Sequence, residues 1–212
     1  MALKKYDDLN DMQIDALREI GNIGSGNAAT SLADMLSKPV DIGVPKIEIL
    51  DYDDVVKSLG GPEQLLVGIL LSLTGDVQGM MMFLLQKDFV KMLVENLIGE
   101  PFDEEKGLDE MSLSAIQEVG NIMAASYVNA IASMTGLDIN ISVPSLSVDM
   151  AGAILSTPAI YYANISDKII FIQDEFNQTN KENEVTSHIL LIPEVDSLQK
   201  IMECLGLGES FT

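Results

Sequence analysis

The sequence holds one cysteine, Cys204, and one histidine, His188. A lone cysteine forms no intramolecular disulfide, so a reducing compartment is the natural setting. One histidine and one cysteine leave almost no ligands for a zinc site and no depth for a Cys–His nucleophile pair. Basic residues are scarce too: 12 Lys and Arg stand against 33 Asp and Glu, a formal charge of −21. Nucleic acid and anionic membrane surfaces both recruit clustered Lys and Arg, so neither is expected as a partner. Long apolar runs are missing. Leu65–Leu73 and Met80–Leu85 are far shorter than the ~20 residues that span a bilayer. Met1–Asp8 has no apolar stretch of the kind a secretory signal needs. These absences predict a cytoplasmic protein without membrane insertion. They leave carboxylates, amides and hydroxyls for any chemistry.

What is present is a duplication. Residues 18–45, REIGNIGSGNAATSLADMLSKPVDIGVP, align without a gap on residues 117–144, QEVGNIMAASYVNAIASMTGLDINISVP, at a constant step of 99, with 9 of 28 positions identical. Asp88–Leu97 likewise resembles Asp196–Leu205 at a step of 108, and the polar stretch Asp174–Thr186 absorbs the difference as an expected loop. The reading is one domain, 1–212, of two repeats, about 11–100 and 109–208, joined by an acidic solvated hinge near 100–110. Each half predicts a long helix (Asp11–Leu36, Asp109–Met134) and a strand (Val40–Ile49, Ile139–Val148). A hairpin follows (Leu66–Leu73 with Val77–Leu85, Lys168–Gln173 with Ser187–Ile192), then a short helix ending near Gly99 or Gly206. Further short strands are expected in Ala153–Ala163. The fold class is α/β (α+β): helix-strand-strand-strand-helix halves related by pseudo-twofold symmetry, their sheets joined, with two long helices displaying the polar residues.

On a helical wheel Asp15, Glu19 and Asn22 share one stripe, and Leu17, Ile20, Gly24, Ala28 and Met35 take the opposite side. Ser114, Glu118 and Asn121 repeat the stripe, opposite Ile116, Val119 and Met123. Glu and Asn on an outer helix face are ordinarily solvated surface. Asn, however, is a mediocre helix former, and both copies keep it mid-helix at one register with Pro 23 positions later.

Asp15-x3-Glu19-x2-Asn22-x22-Pro45 and Ser114-x3-Glu118-x2-Asn121-x22-Pro144 both resemble the [Asp/Ser]-x3-Glu-x2-Asn-x22-Pro signature of the CheC/CheX/FliY family of phosphatases. The resemblance covers nearly the whole chain, and two intact signatures fit its CheC branch. It implies hydrolysis of the aspartyl phosphate of the response regulator CheY, with CheD as a second partner. The regulator would bring its own Mg²⁺ and lysine, so this chain needs neither a cofactor nor a metal of its own. Asn22 and Asn121 would orient the attacking water, and Glu19 and Glu118 would pair with the regulator's lysine. Asp15 and Ser114 take a supporting role by adding polar contacts to the partner, or else bond locally on the helix. Gly21 and Gly120 permit close packing of helix on sheet, or approach of a partner backbone. Pro45 and Pro144 set a strand start or a bend. The family places CheD on the second half, for which Val148–Ile154 is the expected contact segment with Asp149 exposed; an ordinary strand-to-helix connection is the plainer reading. The competing function is a non-catalytic adaptor for CheD or a flagellar partner. A metal hydrolase lacks a ligand cluster in the sequence.

Several residues read as structure. Gly24-Ser25-Gly26 lacks the strand and Lys of a phosphate loop and reads as packing. Met80-Met81-Met82 reads as core and edge of a strand, His188 as a structural strand residue, and Cys204 as a small buried hydrophobe.

Overall fold

The long helices begin at polar caps. In helix α1 (Asp11–Leu36) the Asn10 side chain accepts from the Gln13 backbone N–H at 3.0 Å, and Gln13 Oε1 accepts from the Asn10 N–H at 3.0 Å. This capping box satisfies two groups that a helix start leaves unpaired. Helix α4 (Glu110–Thr135) begins at Asp109, which accepts from the backbone N–H and the hydroxyl of Ser112 at 2.8 and 2.7 Å. It ends at Gly136 in the left-handed conformation, φ 72°.

The computed structural model describes residues 3–162, 168–178 and 185–208. After α1 come β1 (Val40–Ile42), β2 (Lys46–Asp51), α2 (Tyr52–Ser58), β3 (Leu65–Gly75), β4 (Gly79–Leu85) and α3 (Lys87–Ile98). After α4 the order recurs: β5 (Ile139–Ile141), β6 (Ser145–Met150), α5 (Ala151–Tyr162), β7 (Lys168–Gln178), β8 (Val185–Pro193) and α6 (Val195–Cys204).

Among the described residues eight strands form one antiparallel sheet in the order β1-β7-β8-β4-β3-β5, with β2 also on β7 and β6 also on β3. The first repeat thus hangs β1 and β2 on a strand of the second, and the second hangs β5 and β6 on a strand of the first. The central pair is β4 with β8, where Met82 faces Leu190. These two are also repeat equivalents, since 82 + 108 = 190. A residue paired with its own equivalent marks the pseudo-twofold axis, and the expected joining of the half-sheets takes place there.

Strand alternation fills two cores. Met81, Phe83 and Leu85 point toward α1, α3, α4 and α6, while Met80, Met82 and Leu84 point toward α2 and α5. The Met80–Met82 run is therefore wholly core, not core and edge, because β4 lies between β3 and β8. Among the described residues no helix is long and apolar enough to cross a membrane.

The structure corrects other expectations. Each first strand is broken in two: Pro45 sits between β1 and β2, and Pro144 between β5 and β6. A residue without a backbone N–H marks the break in the ladder, so these prolines make the bend. Ala153–Ala163 holds no strand among its described residues; it lies mostly in α5, and α2 is its counterpart, since 52 + 99 = 151. These two helices cover the sheet face that a helix-strand-strand-strand-helix half leaves bare. The expected loop Asp174–Thr186 is strand at both ends, with β7 running to Gln178 and β8 starting at Val185; residues 179–184 lie outside the described residues. Strand β3 runs on to Gly75 and β4 starts at Gly79, two residues later than expected, which leaves Val77 buried in the turn between them. Cys204 is exposed. Helix α6 turns Ser197, Leu198, Ile201 and Met202 inward, and a residue two positions past Met202 points about 200° away from it.

Candidate functional site

The glycines of the signature helices decide how close those helices lie to their neighbours. A Cβ at Gly120 would stand 2.7 Å from Ile69 Cγ2, and one at Gly21 would stand closer still to Ile47. Both glycines therefore serve close packing of helix on sheet. A Cβ at Gly24 would stand 2.5 Å from the Tyr127 ring, so Gly24 lets α1 and α4 approach one another. With these faces buried, the opposite stripe must face solvent.

Asp15, Glu19, Asn22, Ser114 and Glu118 are exposed, and Asn121 is half-buried. None of Glu19, Asn22, Glu118 and Asn121 has a hydrogen-bond or ion-pair partner among the described residues. Their carboxylates and carboxamides are free to engage a ligand. On α4 the structure brings the second signature together. Ser114, Glu118, Asn121 and Pro144 line one open depression of about 440 Å³, with Gln117 and Val143 on its wall.

Gln117 was invisible in the sequence reading. Its Nε2 donates to the Pro144 carbonyl at 2.8 Å, tying the helix to the β5–β6 loop. The position one repeat earlier is Arg18, which instead pairs with Asp15 at 2.6 Å on the open surface. The two signatures therefore differ. In the second the loop is braced and Ser114 is open. In the first Asp15 is engaged by Arg18, an exposed pair of the kind worth only about 0–1 kcal/mol.

Behind both stripes lies a buried polar group. The Ser25 hydroxyl donates to Asp174 Oδ1 at 2.7 Å and the Tyr127 hydroxyl to Asp174 Oδ2 at 2.5 Å, while the two hydroxyl oxygens are 2.6 Å apart. All three residues are fully buried. Burial holds the Asp174 carboxyl above its ordinary range, against the pull of the Tyr127 and Ser25 bonds. Burial, then the nearby Asp174, push the Tyr127 hydroxyl well up. The cluster joins α1, α4 and β7. Ser25 is three residues past Asn22 and Tyr127 six past Asn121, so it fixes the register of both helices. Gly24-Ser25-Gly26 is thus a packing and hydrogen-bonding segment.

His188 is buried on β8, stacked on Phe171 with ring centroids 5.3 Å apart. Its Nδ1 has no hydrogen-bond partner among the described residues, and burial lowers its pKa to about 4. A neutral, orphaned ring under the sheet is structural. Asp149 is exposed on β6, where its carboxylate accepts from the Met150 N–H at 2.7 Å. Among the described residues no group of three or more His, Cys, Asp or Glu is placed to hold a metal ion.

A model of the CheC-like family matches residues 12–49 and 111–148, the same step of 99 as the internal repeat. The CheY-P phosphatase CheC of Bacillus subtilis is 34% identical over 203 residues, covering 95% of this chain and 97% of that protein. Crystal structures share the fold. FliY of Thermotoga maritima superposes with a TM-score of 0.75 at 23% identity, covering 95% of this chain and 100% of that one. CheX of Borrelia burgdorferi, in a complex with CheY, BeF3 and Mg²⁺, superposes with a TM-score of 0.51 at 20% identity over 80% of this chain and 95% of that one. The two family segments fall on the two stripes and the two proline breaks, and the identity to a full-length relative runs through the strands that join the halves. The chain belongs to the CheC-like family.

Proposed function

We propose that this chain is a cytoplasmic chemotaxis phosphatase that hydrolyses the aspartyl phosphate of the response regulator CheY. The observation that carries this reading is the pair of stripes, each presenting an unpartnered Glu and Asn one turn apart on an open helix face. The likeness to a CheY-P phosphatase over 95% of the chain supports it. The substrate protein brings the Mg²⁺ and the lysine that stabilise charge on the phosphoryl group. Hydrolysis then lacks only a water held in line with phosphorus. A carboxamide does this with one group: its oxygen accepts from the water and its NH₂ donates to a phosphoryl oxygen. Asn22 and Asn121 take that role. Glu19 and Glu118, one turn back, pair with the substrate's lysine and fix the amide's position. Asp15 and Ser114 add contacts at the end of each stripe.

Adding this chain to phosphorylated CheY should speed loss of the phosphate. Replacing Asn22 and Asn121 together by Ala should lower the accelerated rate about 100-fold, or about 2.7 kcal/mol of barrier. A double variant with full activity overturns the assignment of the amides. The two single variants apportion activity between the braced and the unbraced site.

Partner docking uses another surface. We place CheD on Val148–Ile154, where Val148, Asp149 and Met150 are exposed on β6. Asp149→Lys should weaken CheD binding in a titration and leave dephosphorylation unchanged; undiminished binding removes this segment from the contact.

A further inference from the structure

Eight large apolar side chains are exposed among the described residues. Four of them form two repeat pairs at the step of 99: Met12 with Met111, 57 and 65% exposed, and Val44 with Val143, 90 and 81% exposed. A single exposed apolar side chain is ordinary. Here the same residue type is exposed at the same place in both copies. The other four show no such pairing. At that step Leu65, Val148, Met150 and Ile160 correspond to Asn164, Ile49, Asp51 and Gly61.

Both pairs border the candidate sites. Met12 precedes Asp15 by three residues and Met111 precedes Ser114 by three, so each Met extends the Glu–Asn stripe by one turn. Val44 and Val143 stand directly before the prolines that break the strands. Val143 lines the same depression as Glu118 and Asn121. In the second copy the polar pair is thus framed by Met111 on the helix and Val143 on the loop, and Met12 and Val44 hold the equivalent positions in the first.

We infer that Met12 with Val44, and Met111 with Val143, are apolar anchors that seat the phosphorylated receiver protein over each Glu–Asn pair. This rests on the phosphatase reading above and adds to it the residues that grip the protein carrying the acyl phosphate. Charge supports that occupant. A chain with 33 acidic and 12 basic residues gives an anionic phosphoryl group no long-range attraction, so short-range contacts must hold the substrate: burial of apolar area beside the pairing of Glu19 and Glu118 with its lysine. A free small acyl phosphate gives Met and Val nothing to cover. Met suits such a role because its unbranched thioether adapts to irregular surfaces.

The test is the full chain carrying Met12→Gln, Val44→Ser, Met111→Gln and Val143→Ser, four changes at exposed positions. Binding is titrated with CheY loaded with beryllofluoride and Mg²⁺, and turnover is measured separately on phosphorylated CheY. The expected result is a Kd and a KM raised at least ~10-fold with kcat within about twofold, since the anchors touch no reacting atom. Ile160→Gln, an exposed apolar residue outside the pairs, should change none of these values. Asn22→Ala with Asn121→Ala should lower kcat and keep Kd. Equal Kd in the parent and the fourfold variant overturns the anchors even where turnover supports the phosphatase reading. Anchor-dependent binding without turnover supports the anchors and overturns hydrolysis. No binding by the parent overturns both.

Discussion

Replacing Asp174 by Ala should cost about 3 kcal/mol of stability, whereas Asn at the same position should cost no more than about 1 kcal/mol. The argument is a count of protons. Ser25, Tyr127 and Asp174 make three short oxygen–oxygen contacts, at 2.7, 2.5 and 2.6 Å. The two hydroxyls supply two protons. When both serve the carboxylate, the 2.6 Å contact between the hydroxyl oxygens has none. A side chain that could also donate would complete the ring, since the Ser25 hydroxyl would then turn its proton to Tyr127 and each member would donate once and accept once. Burial of the carboxyl, which favours its neutral form, points the same way. Asn keeps one donor and one acceptor for such a ring. Ala leaves a cavity and strands a buried hydroxyl proton, losses that together reach about 3 kcal/mol. The pH dependence carries a sign. With its folded pKa raised above 3.8, Asp174 contributes stability that is present below the ordinary carboxylate range and lost as pH rises through the folded value. Urea midpoints of the parent and Asp174→Asn should therefore differ more in the parent's favour below the ordinary carboxylate range than at neutral pH. A loss of about 3 kcal/mol for Asn as well would show that the carboxylate is ionised and held by charge-assisted bonds.

His188 should make the protein lose about 3 kcal/mol as pH falls from 6.5 to 4. Burial lowers its folded pKa from 6.5 to about 4. Over that window the unfolded chain takes up a proton that the folded chain refuses. Each pH unit is worth about 1.4 kcal/mol. The contribution is intact above pH 6.5, where both states hold the neutral ring. Other carboxylates titrate in the same range, so the measurement is a difference: denaturant midpoints of the parent and His188→Phe at several pH values. Phe keeps a ring against Phe171 and removes an Nδ1 that has no partner among the described residues. The gap between the two proteins should open by about 3 kcal/mol toward acid. A gap that stays constant with pH would mean that the ring accepts its proton inside the fold.

The signature helices were legible because several signals agreed. The apolar period of α1 and its Gly-marked packing side pointed to one helix facing one way, and α4 repeated the pattern. Pro45 and Pro144 were legible as bends, yet the strands on either side of each read as one, because a pattern of alternation continues across a break. Helices α2 and α5 were not legible. Helix α2 has seven residues. Helix α5 is apolar on nearly every side and contains Pro158, so no polar face betrays its period. Asp174 was read with the polar residues after it as a loop, since sequence cannot reveal that a carboxyl will find two hydroxyls from distant helices. Gln117 was passed over because its partner is a backbone carbonyl 27 residues away. Cys204 was misplaced by its apolar neighbours, when one step of helical phase decided its exposure.

The exchange of strands across the Met82–Leu190 axis has a consequence for inheritance. A lone repeat would own a helix and a loop carrying one complete signature, but no strand of its own on which to hang β1 and β2. Only a second copy supplies that edge, so a one-repeat forebear with this wiring must have lived as a symmetric pair. Fusion into one chain then released the two copies from having to match. Arg18 and Asp15 in one could drift from Gln117 and Ser114 in the other, while the shared sheet still binds both to a single fate in unfolding. The duplicated site is thus free to specialise in its chemistry and bound in its stability.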